Sequence, residues 1–303
     1  MVQTMNTQKR LIKAYENARV EYFDENDKYV FFSDCHRGNG SHQDEFVKNR
    51  IVYMYALDYY YKEGYTLVEV GDGDELWEYP KFRIIKKAHY RVFQSMKRFF
   101  NEGRFILLYG NHNIYLKNPE YVENNYYMYY DEYRKKENVF FEGLKPCEAL
   151  VLKNKQTGQE IFVVHGHQGD FANDQFRHFT MLTVKHFWKY LHAFGIKNPA
   201  SPVKNEHKRH KIEKRFNKWI EKNETMVICG HTHRYKYPRE GELPYFNTGC
   251  CIYPTTITGI EIAGGTVQLV RWRTHYNEDG LLQIKKEVLR GPGNLEKFDI
   301  RTI

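Results

Sequence analysis

Five short apolar segments of this chain each end in side chains that can bind a metal ion. They are residues 31–36, 68–72, 107–112, 163–167 and 227–233, and each reads as a short buried strand. The side chains at their ends are those of Asp34, His36, Asp72, Asn111, His165, His231 and His233. This repeated pattern constrains the fold strongly, because the strands must deliver their oxygen and nitrogen groups to a common place.

Strand and helix patterns alternate over the first third of the chain. Residues 7–19, 42–63 and 81–100 have helical spacing, whereas residues 29–33, 66–70 and 104–109 read as strands. Such alternation predicts right-handed crossovers and parallel strands, whose carboxyl ends meet at one edge of the sheet. Later strands, over residues 138–152, 160–164 and in the stretch from residue 225 onwards, favour a more antiparallel second half. We therefore expect an α/β fold with two mixed β-sheets in a single domain over residues 1–303.

Two segments stand outside this plan. Residues 113–137 form a small excursion crowded with Tyr and Glu, and residues 171–224 are predicted to be a helical insertion that caps the active edge. Residues 171–222 contain 12 Lys or Arg and four Asp or Glu, a surplus that equals the net charge of +8 of the whole chain. A basic segment between two metal-binding motifs suggests an anionic substrate, and a solvated helical face is the alternative.

The position of this insertion leads to a more specific expectation. Because both of its ends adjoin predicted metal ligands, it has to cover or flank the cleft, as many lids do. Its apolar face would then pack on the rest of the domain or hold an apolar tail of the substrate. The basic side chains expected to face the substrate are Lys204, Lys208, Arg209, Lys211 and Arg215.

Composition excludes several other classes of protein. A hydrophobic content of 41% and an aromatic content of 16% argue against disorder, and no apolar run predicts a transmembrane segment. The five cysteines form no zinc-type pair and are odd in number, which favours reduced thiols and a cytoplasmic setting. A peripheral location at a membrane stays open, and the sequence does not specify the oligomeric state.

The mixed set of ligands indicates which ions it would hold. Carboxylate, amide and imidazole groups together suit transition ions such as Mn, Fe or Zn better than Mg or Ca, which prefer oxygen alone. Seven ligands are enough for two ions if Asp72 is shared. Two such ions about 3.5 to 4 Å apart would hold a bridging hydroxide and clamp a phosphoryl group for in-line attack. We therefore expect a dinuclear phosphoesterase, with Mn as the leading metal and an anionic phosphorylated substrate.

The order of these motifs resembles that of the calcineurin-like metallophosphoesterase superfamily. The motifs are Asp34-x-His36, Gly71-Asp72, Gly110-Asn111-His112, His165-Gly166 and Gly230-His231-x-His233. The resemblance implies a four-layer αββα sandwich. It also implies one ion among Asp34, His36, Asp72 and His233, and a second among Asp72, Asn111, His165 and His231. His112 would be the catalytic acid or would stabilise the transition state, and a buried structural histidine is the alternative.

Further sequence features indicate alternatives for the substrate class and for the roles of two more residues. The stretch from Gly71 to Trp77 resembles that of UDP-2,3-diacylglucosamine pyrophosphatases, which have an acid and a Trp at the positions of Glu75 and Trp77. A nuclease with residues 171–222 as a basic track is a further alternative, which is less favoured because no recognisable DNA-binding motif accompanies that segment. Arg37 is a candidate for binding substrate phosphate, with a structural ion pair as the alternative. His167 is assigned either to the surroundings of the ligands or to a structural role.

Overall fold

Two β-sheets packed face to face form the centre of the protein. The computed structural model describes residues 2–131, 134–170 and 206–301. The helices of these residues are α1 (Val2–Glu16), α2 (Arg50–Lys62), α3 (Phe82–Ala88), α4 (Tyr90–Asn101), α5 (Pro119–Val122) and α6 (Glu206–Asn223). The strands are β1 (Arg19–Phe23), β2 (Tyr29–Phe32), β3 (Thr66–Val70), β4 (Phe105–Leu108), β5 (Met128–Asp131), β6 (Lys136–Val139), β7 (Ala149–Asn154), β8 (Glu160–Val164), β9 (Met226–Cys229), β10 (Tyr245–Asn247), β11 (Thr256–Ala263), β12 (Thr266–Tyr276) and β13 (Leu282–Asn294).

Both large sheets are mixed. The six-stranded sheet has the order β13-β12-β11-β2-β3-β4, and the five-stranded sheet has the order β1-β7-β8-β9-β10. Strands β2, β3 and β4 are parallel neighbours, as are β8, β9 and β10. The alternating strands and helices therefore fold as predicted, and the carboxyl ends of these parallel strands lie at one edge of each sheet.

Side-chain alternation along the strands divides the core into three layers. In β2, Phe31 packs between the two sheets, whereas Phe32 packs outward against α2, α3 and α4. In β8, Val163 points into the same central layer, and Phe162 points outward against α1 and α6. Helices therefore cover both outer faces, which confirms the predicted αββα sandwich of two mixed sheets.

The structure differs from the sequence prediction in several places, and the strand pattern over residues 138–152 is divided between the end of β6 and the start of β7, which lie in different sheets. Strand β1 has no predicted counterpart, and it pairs in parallel with β7 at the edge of the five-stranded sheet. The helix predicted over residues 81–100 is broken at His89, whose Nε2 lies 2.7 Å from Asp44 Oδ2 in a fully buried pair. The excursion after residue 112 contains α5, a π-helical turn at Glu123–Tyr127 and the β5–β6 hairpin.

Helix α6 belongs to the outer layer of the sandwich. Its Ile212, Phe216 and Trp219 are buried against the five-stranded sheet. Full burial of an Ile or Phe side chain contributes about 1.5 to 3 kcal/mol. Its exposed face includes Lys211, as expected of a solvated helical face. Residues 171–205, with Lys204, lie outside the described residues, and so does the side chain of Lys208, so the predicted cap over residues 171–224 stays a prediction.

Two further predictions concern reduced cysteines and the absence of a transmembrane segment. All five cysteines are free thiols, and four of them are buried. Among residues 2–131, 134–170 and 206–301, no helix is long and apolar enough to span a membrane.

Candidate metal centre

The ends of five parallel strands meet where the two sheets adjoin. Strands β2, β3 and β4 deliver ligands from the six-stranded sheet, and β8 and β9 deliver them from the five-stranded sheet. Three groups of potential ligand atoms form there, each with its atoms within 4.8 Å of one another. They are Asp34, His36 and His233; His36, Asp72 and His112; and Asp72, His165 and His231. The groups contain six of the seven predicted ligands, all except Asn111, together with His112.

The backbone at this edge adopts an unusual conformation. A positive φ angle occurs at five of the candidate ligands: Asp34 (51°), His36 (46°), Asp72 (50°), His231 (66°) and His233 (55°). Residues other than glycine rarely adopt this left-handed backbone conformation. A cluster of such residues is typical of functional sites. The loops after β2 and β3 also hold each other, because the His36 and Arg37 amides donate to the Asp72 and Gly73 carbonyls at 2.9 Å each.

Asp34 is the centre of the first group. Its Oδ1 lies 3.1 Å from His233 Nε2 and 3.8 Å from His36 Nε2, while its Oδ2 accepts a hydrogen bond from the His231 amide at 2.9 Å. Burial would raise the pKa of Asp34, but the charges of His233 and His165 outweigh it and hold that pKa well below its usual range. The carboxylate is therefore fixed in place as an anion.

Asp72 and His165 form the second group together with His231. His165 Nε2 lies 2.9 Å from Asp72 Oδ2, and His165 Nδ1 donates to the Val70 carbonyl at 2.8 Å. Because a carbonyl can only accept, the proton is on Nδ1 and the lone pair of Nε2 is available to an ion. Burial would lower the pKa of His165, but the Asp72 and Asp34 carboxylates raise it to about 9. A metal ion would satisfy the same carboxylates in place of that proton.

Two glycines allow the strand ends to approach this closely. A Cβ on Gly71, whose φ is +79°, would lie 2.6 Å from the imidazole of His165. A Cβ on Gly110 would lie 2.3 Å from Asp72 Oδ1. Any side chain at either position would therefore push apart the groups of the site.

Unpartnered buried atoms provide a test of whether these residues fit a metal. Several of the predicted ligands have a buried oxygen or nitrogen without a hydrogen-bond partner among the described residues, which is costly unless something else satisfies it. These atoms are Asp34 Oδ1, Asn111 Oδ1, His165 Nε2 and His233 Nδ1. The donor set mixes oxygen and nitrogen, so the residues fit divalent transition ions.

Glu75 joins the site although the motif analysis does not make it a site residue. It accepts hydrogen bonds from His36 Nδ1 at 2.8 Å and from His112 Nδ1 at 2.7 Å. Burial would raise the pKa of Glu75, but the charges and hydrogen bonds of His112 and His36 lower it to about 2. Trp77 stacks on His112 with ring centroids 4.1 Å apart. The available signal was the resemblance of the stretch that contains Glu75 and Trp77.

Two further sequence candidates lie beside the cluster. His167 is buried behind His165, with ring centroids 5.7 Å apart, and burial together with the charges of His165 and His231 holds its pKa well below the usual range. Arg37 is only 1% exposed and pairs with Glu69 and Asp74 at 2.7 Å each. The structural ion pair is therefore the alternative that the geometry favours for Arg37, and its guanidinium is not available to substrate phosphate.

Arg37→Met is expected to lower the free energy of unfolding by about 3 to 5 kcal/mol, because it leaves two buried carboxylates without their cation. Urea denaturation of the purified variant measures this change. The matched control is Arg98→Met, which removes an ion pair with Asp58 whose side chains are 43% and 42% exposed and should cost at most about 1 kcal/mol. An unchanged free energy of unfolding for Arg37→Met would contradict the structural role of this ion pair.

Comparisons with known proteins find one family model and several solved structures that are similar to this chain. The model of the calcineurin-like phosphoesterase superfamily domain matches residues 28–268. A crystal structure of Chaetomium thermophilum Vps29 is 8% identical with a TM-score of 0.39, and the alignment covers 88% of this chain and 96% of that one. A point mutant of a cold-active protein tyrosine phosphatase is 12% identical with a TM-score of 0.40, and the alignment covers 91% of this chain and 84% of that one. Similarities this low carry no argument about function. The comparison with curated sequences gives no match.

Proposed function

The chain belongs to the calcineurin-like phosphoesterase superfamily, and on that basis we propose that it hydrolyses a phosphate ester or pyrophosphate bond with two divalent metal ions. The observation that supports two ions is the meeting of two ligand groups at the carboxyl ends of the strands. One group contains Asp34 and the other contains Asp72, which also takes part in a third group with His36. Asp72 thus stands between the other ligands, as a shared carboxylate should.

The proposed ligand assignment follows the two groups. Asp34, His36, Asp72 and His233 hold one ion, and Asp72, Asn111, His165 and His231 hold the other. Divalent ions, when bound here, would polarise the phosphoryl oxygens and lower the pKa of water. Mn, Fe and Zn all suit this donor set, with Mn as the leading candidate.

His112 is the proposed proton donor to the leaving oxygen. Its Nδ1 donates to Glu75 and its backbone amide donates to Asp72 Oδ1 at 2.8 Å, so both the ring and the main chain are oriented. With the proton of Nδ1 engaged, Nε2 is the nitrogen that exchanges a proton with the substrate. Trp77 stacks on one face of the ring and limits its rotation. Glu75 therefore orients a metal ligand and the acid together.

Glu75→Gln is expected to lower kcat at saturating metal by about 10- to 100-fold, in the range typical of groups that orient ligands. The glutamine has one acceptor oxygen for two imidazole N–H groups, and its NH₂ group opposes the second. Steady-state kinetics and metal titration measure the effect on His112 and His36 respectively. Glu120→Gln, at an exposed position, is the control and should change neither. Wild-type kcat and metal affinity in Glu75→Gln would contradict the proposed role.

A narrower substrate class within this function rests on a resemblance of sequence. Glu75 and Trp77 lie directly against His112, and this is the stretch that resembles UDP-2,3-diacylglucosamine pyrophosphatases. Those enzymes commonly have Arg at the position of His112, so a pyrophosphate that joins a nucleotide to an acylated sugar stays the second candidate substrate. The nuclease alternative receives no support from α6, whose Lys211, Lys214 and Lys218 are exposed on the outer layer of the sandwich.

The proposal is tested with metal-free protein reloaded with Mn²⁺. Elemental analysis should find two ions per chain, and a substrate screen should find hydrolysis of phosphorus–oxygen bonds. The screen should compare phosphomonoesters, phosphodiesters, nucleotide sugars and single-stranded nucleic acid at two salt concentrations. A steep loss of activity with salt would favour nucleic acid over a small ester. Protein that binds no metal and hydrolyses none of these substrates would contradict the proposed function.

A further inference from the structure

Asp170 is a buried carboxylate beside a proposed metal ligand. It directly follows the short 3₁₀ turn His167–Gly169, which continues from β8 and His165. Asp170 is 2% exposed and His231 is 5% exposed, and Asp170 Oδ2 lies 3.5 Å from His231 Nε2. Closure of about 0.5 Å would bring this pair to ordinary hydrogen-bond length. Asp170 therefore faces the imidazole of His231 away from solvent.

Asp170 does not belong to the ligand group of that imidazole. The atoms of Asp72, His165 and His231 lie within 4.8 Å of one another, and the group does not include Asp170. Because Asp170 faces Nε2 of His231, an ion held together with Asp72 and His165 would use the other ring nitrogen, Nδ1. A carboxylate in this position acts on the nitrogen of His231 that the ion does not use.

We propose that Asp170 is a positioning residue that accepts the Nε2–H of His231 and thereby holds the Nδ1 lone pair towards the second metal ion. Metal-binding histidines commonly donate their other ring N–H to a carboxylate, which fixes the tautomer and the ring orientation. The Val70 carbonyl orients His165 in the same way, but there it accepts the proton of Nδ1 and leaves Nε2 for the ion. This inference rests on the proposed function, because it needs the second ion.

The turn that carries Asp170 is held by two helices of the outer layer. Arg215 Nη1 on α6 donates to the Gly169 carbonyl at 2.6 Å, and Gln8 Nε2 on α1 donates to the Arg215 carbonyl at 2.8 Å. Phe216 packs so closely that a Cβ on Gly169 would lie 2.9 Å from its ring. The carboxylate thus has a rigid support, as precise orientation of His231 requires.

The test uses the full-length chain in metal-free form and two variants, Asp170→Ala and Asp170→Asn. Calorimetric titration with Mn²⁺ should show two ions in the wild type. In Asp170→Ala, one ion should bind as in the wild type and the other about 10- to 100-fold more weakly. Asp170→Asn should recover part of that loss, since its amide oxygen can accept the same N–H. At two equivalents of Mn²⁺, paramagnetic resonance should change from the signal of a coupled pair towards that of isolated ions.

The outcomes separate this proposal from the function on which it rests. Two ions bound to Asp170→Ala with wild-type affinities would overturn the role of Asp170 alone. A general loss of structure, seen as weaker binding of both ions together with a lower melting temperature of the metal-free protein in both variants, would also overturn it. A wild type that binds a single ion would overturn the dinuclear function and this inference with it. Asp58→Ala, at an exposed site on α2, is the control and should bind both ions normally.

Discussion

Asp72→Asn is expected to remove metal from the protein and to abolish measurable hydrolysis. Asp72 Oδ2 lies 2.9 Å from His165 Nε2, and Oδ1 accepts the His112 amide, so both oxygens are engaged. Asparagine has one oxygen and no charge, and its NH₂ group must face one of these partners. Groups that only orient a ligand contribute about 10- to 100-fold to metal affinity, so loss of a shared ligand should exceed about 100-fold. Elemental analysis and calorimetric titration measure the loss.

The control for Asp72→Asn is the same exchange at Asp58. The Asp58 side chain is 42% exposed on α2, where it pairs with Lys62 and Arg98, so Asp58→Asn should keep two ions and full activity. Circular dichroism of both variants checks that the fold survives. Full metal content and activity in Asp72→Asn would show that the metal centre is assigned to the wrong residues.

His112→Ala is expected to keep its metals and to lose about 10²- to 10⁴-fold in turnover, the usual contribution of a general acid or base. The loss should be smaller on nitrophenyl esters than on alkyl esters, because a nitrophenolate leaves without a proton. His112 Nδ1 is held by Glu75, so removal of the ring also leaves that buried carboxylate with His36 alone. Steady-state kinetics on both classes of ester measure the difference.

His210→Ala is the matched control for His112→Ala. His210 lies on α6 with its side chain 64% exposed, and its removal should leave turnover and metal content unchanged. An equal loss of turnover on nitrophenyl and alkyl esters would exclude His112 as the acid. Its remaining role would then be to stabilise the transition state. Loss of metal from His112→Ala would instead make it a ligand, as its group with His36 and Asp72 would allow.

The parts of the fold that the sequence predicts are those with a strong local pattern. Strands β3 and β8 have the predicted bounds, because each is a largely apolar run that ends at a metal-binding motif. Strand β1 escapes prediction because it has only five residues, and its Val20 and Tyr22 stay exposed at the sheet edge. His89, at the break between α3 and α4, pairs with Asp44, which lies 45 residues earlier in the chain and forms no local pattern with it.

The same distinction applies to the candidate site. Residues within two positions of a strand end, such as Asp72 and His165, can be singled out from the sequence because the chain itself places them at the sheet edge. Glu75 and Asp170 act on imidazoles that lie far away in sequence, namely His36 and His231. Their roles depend on how loops from different sheets meet, which only the folded chain defines.

The left-handed backbone at Asp34, His36, Asp72, His231 and His233 has a consequence for how this protein responds to selection. Strained residues of this kind typically cost about 1 to 3 kcal/mol each. Variants selected for heat resistance alone should therefore carry glycine or asparagine at these positions and should have lost activity. Selection for heat resistance and activity together should leave all five unchanged and gather its substitutions elsewhere. Deep mutational scanning under the two regimes would separate the residues kept for chemistry from those kept for folding.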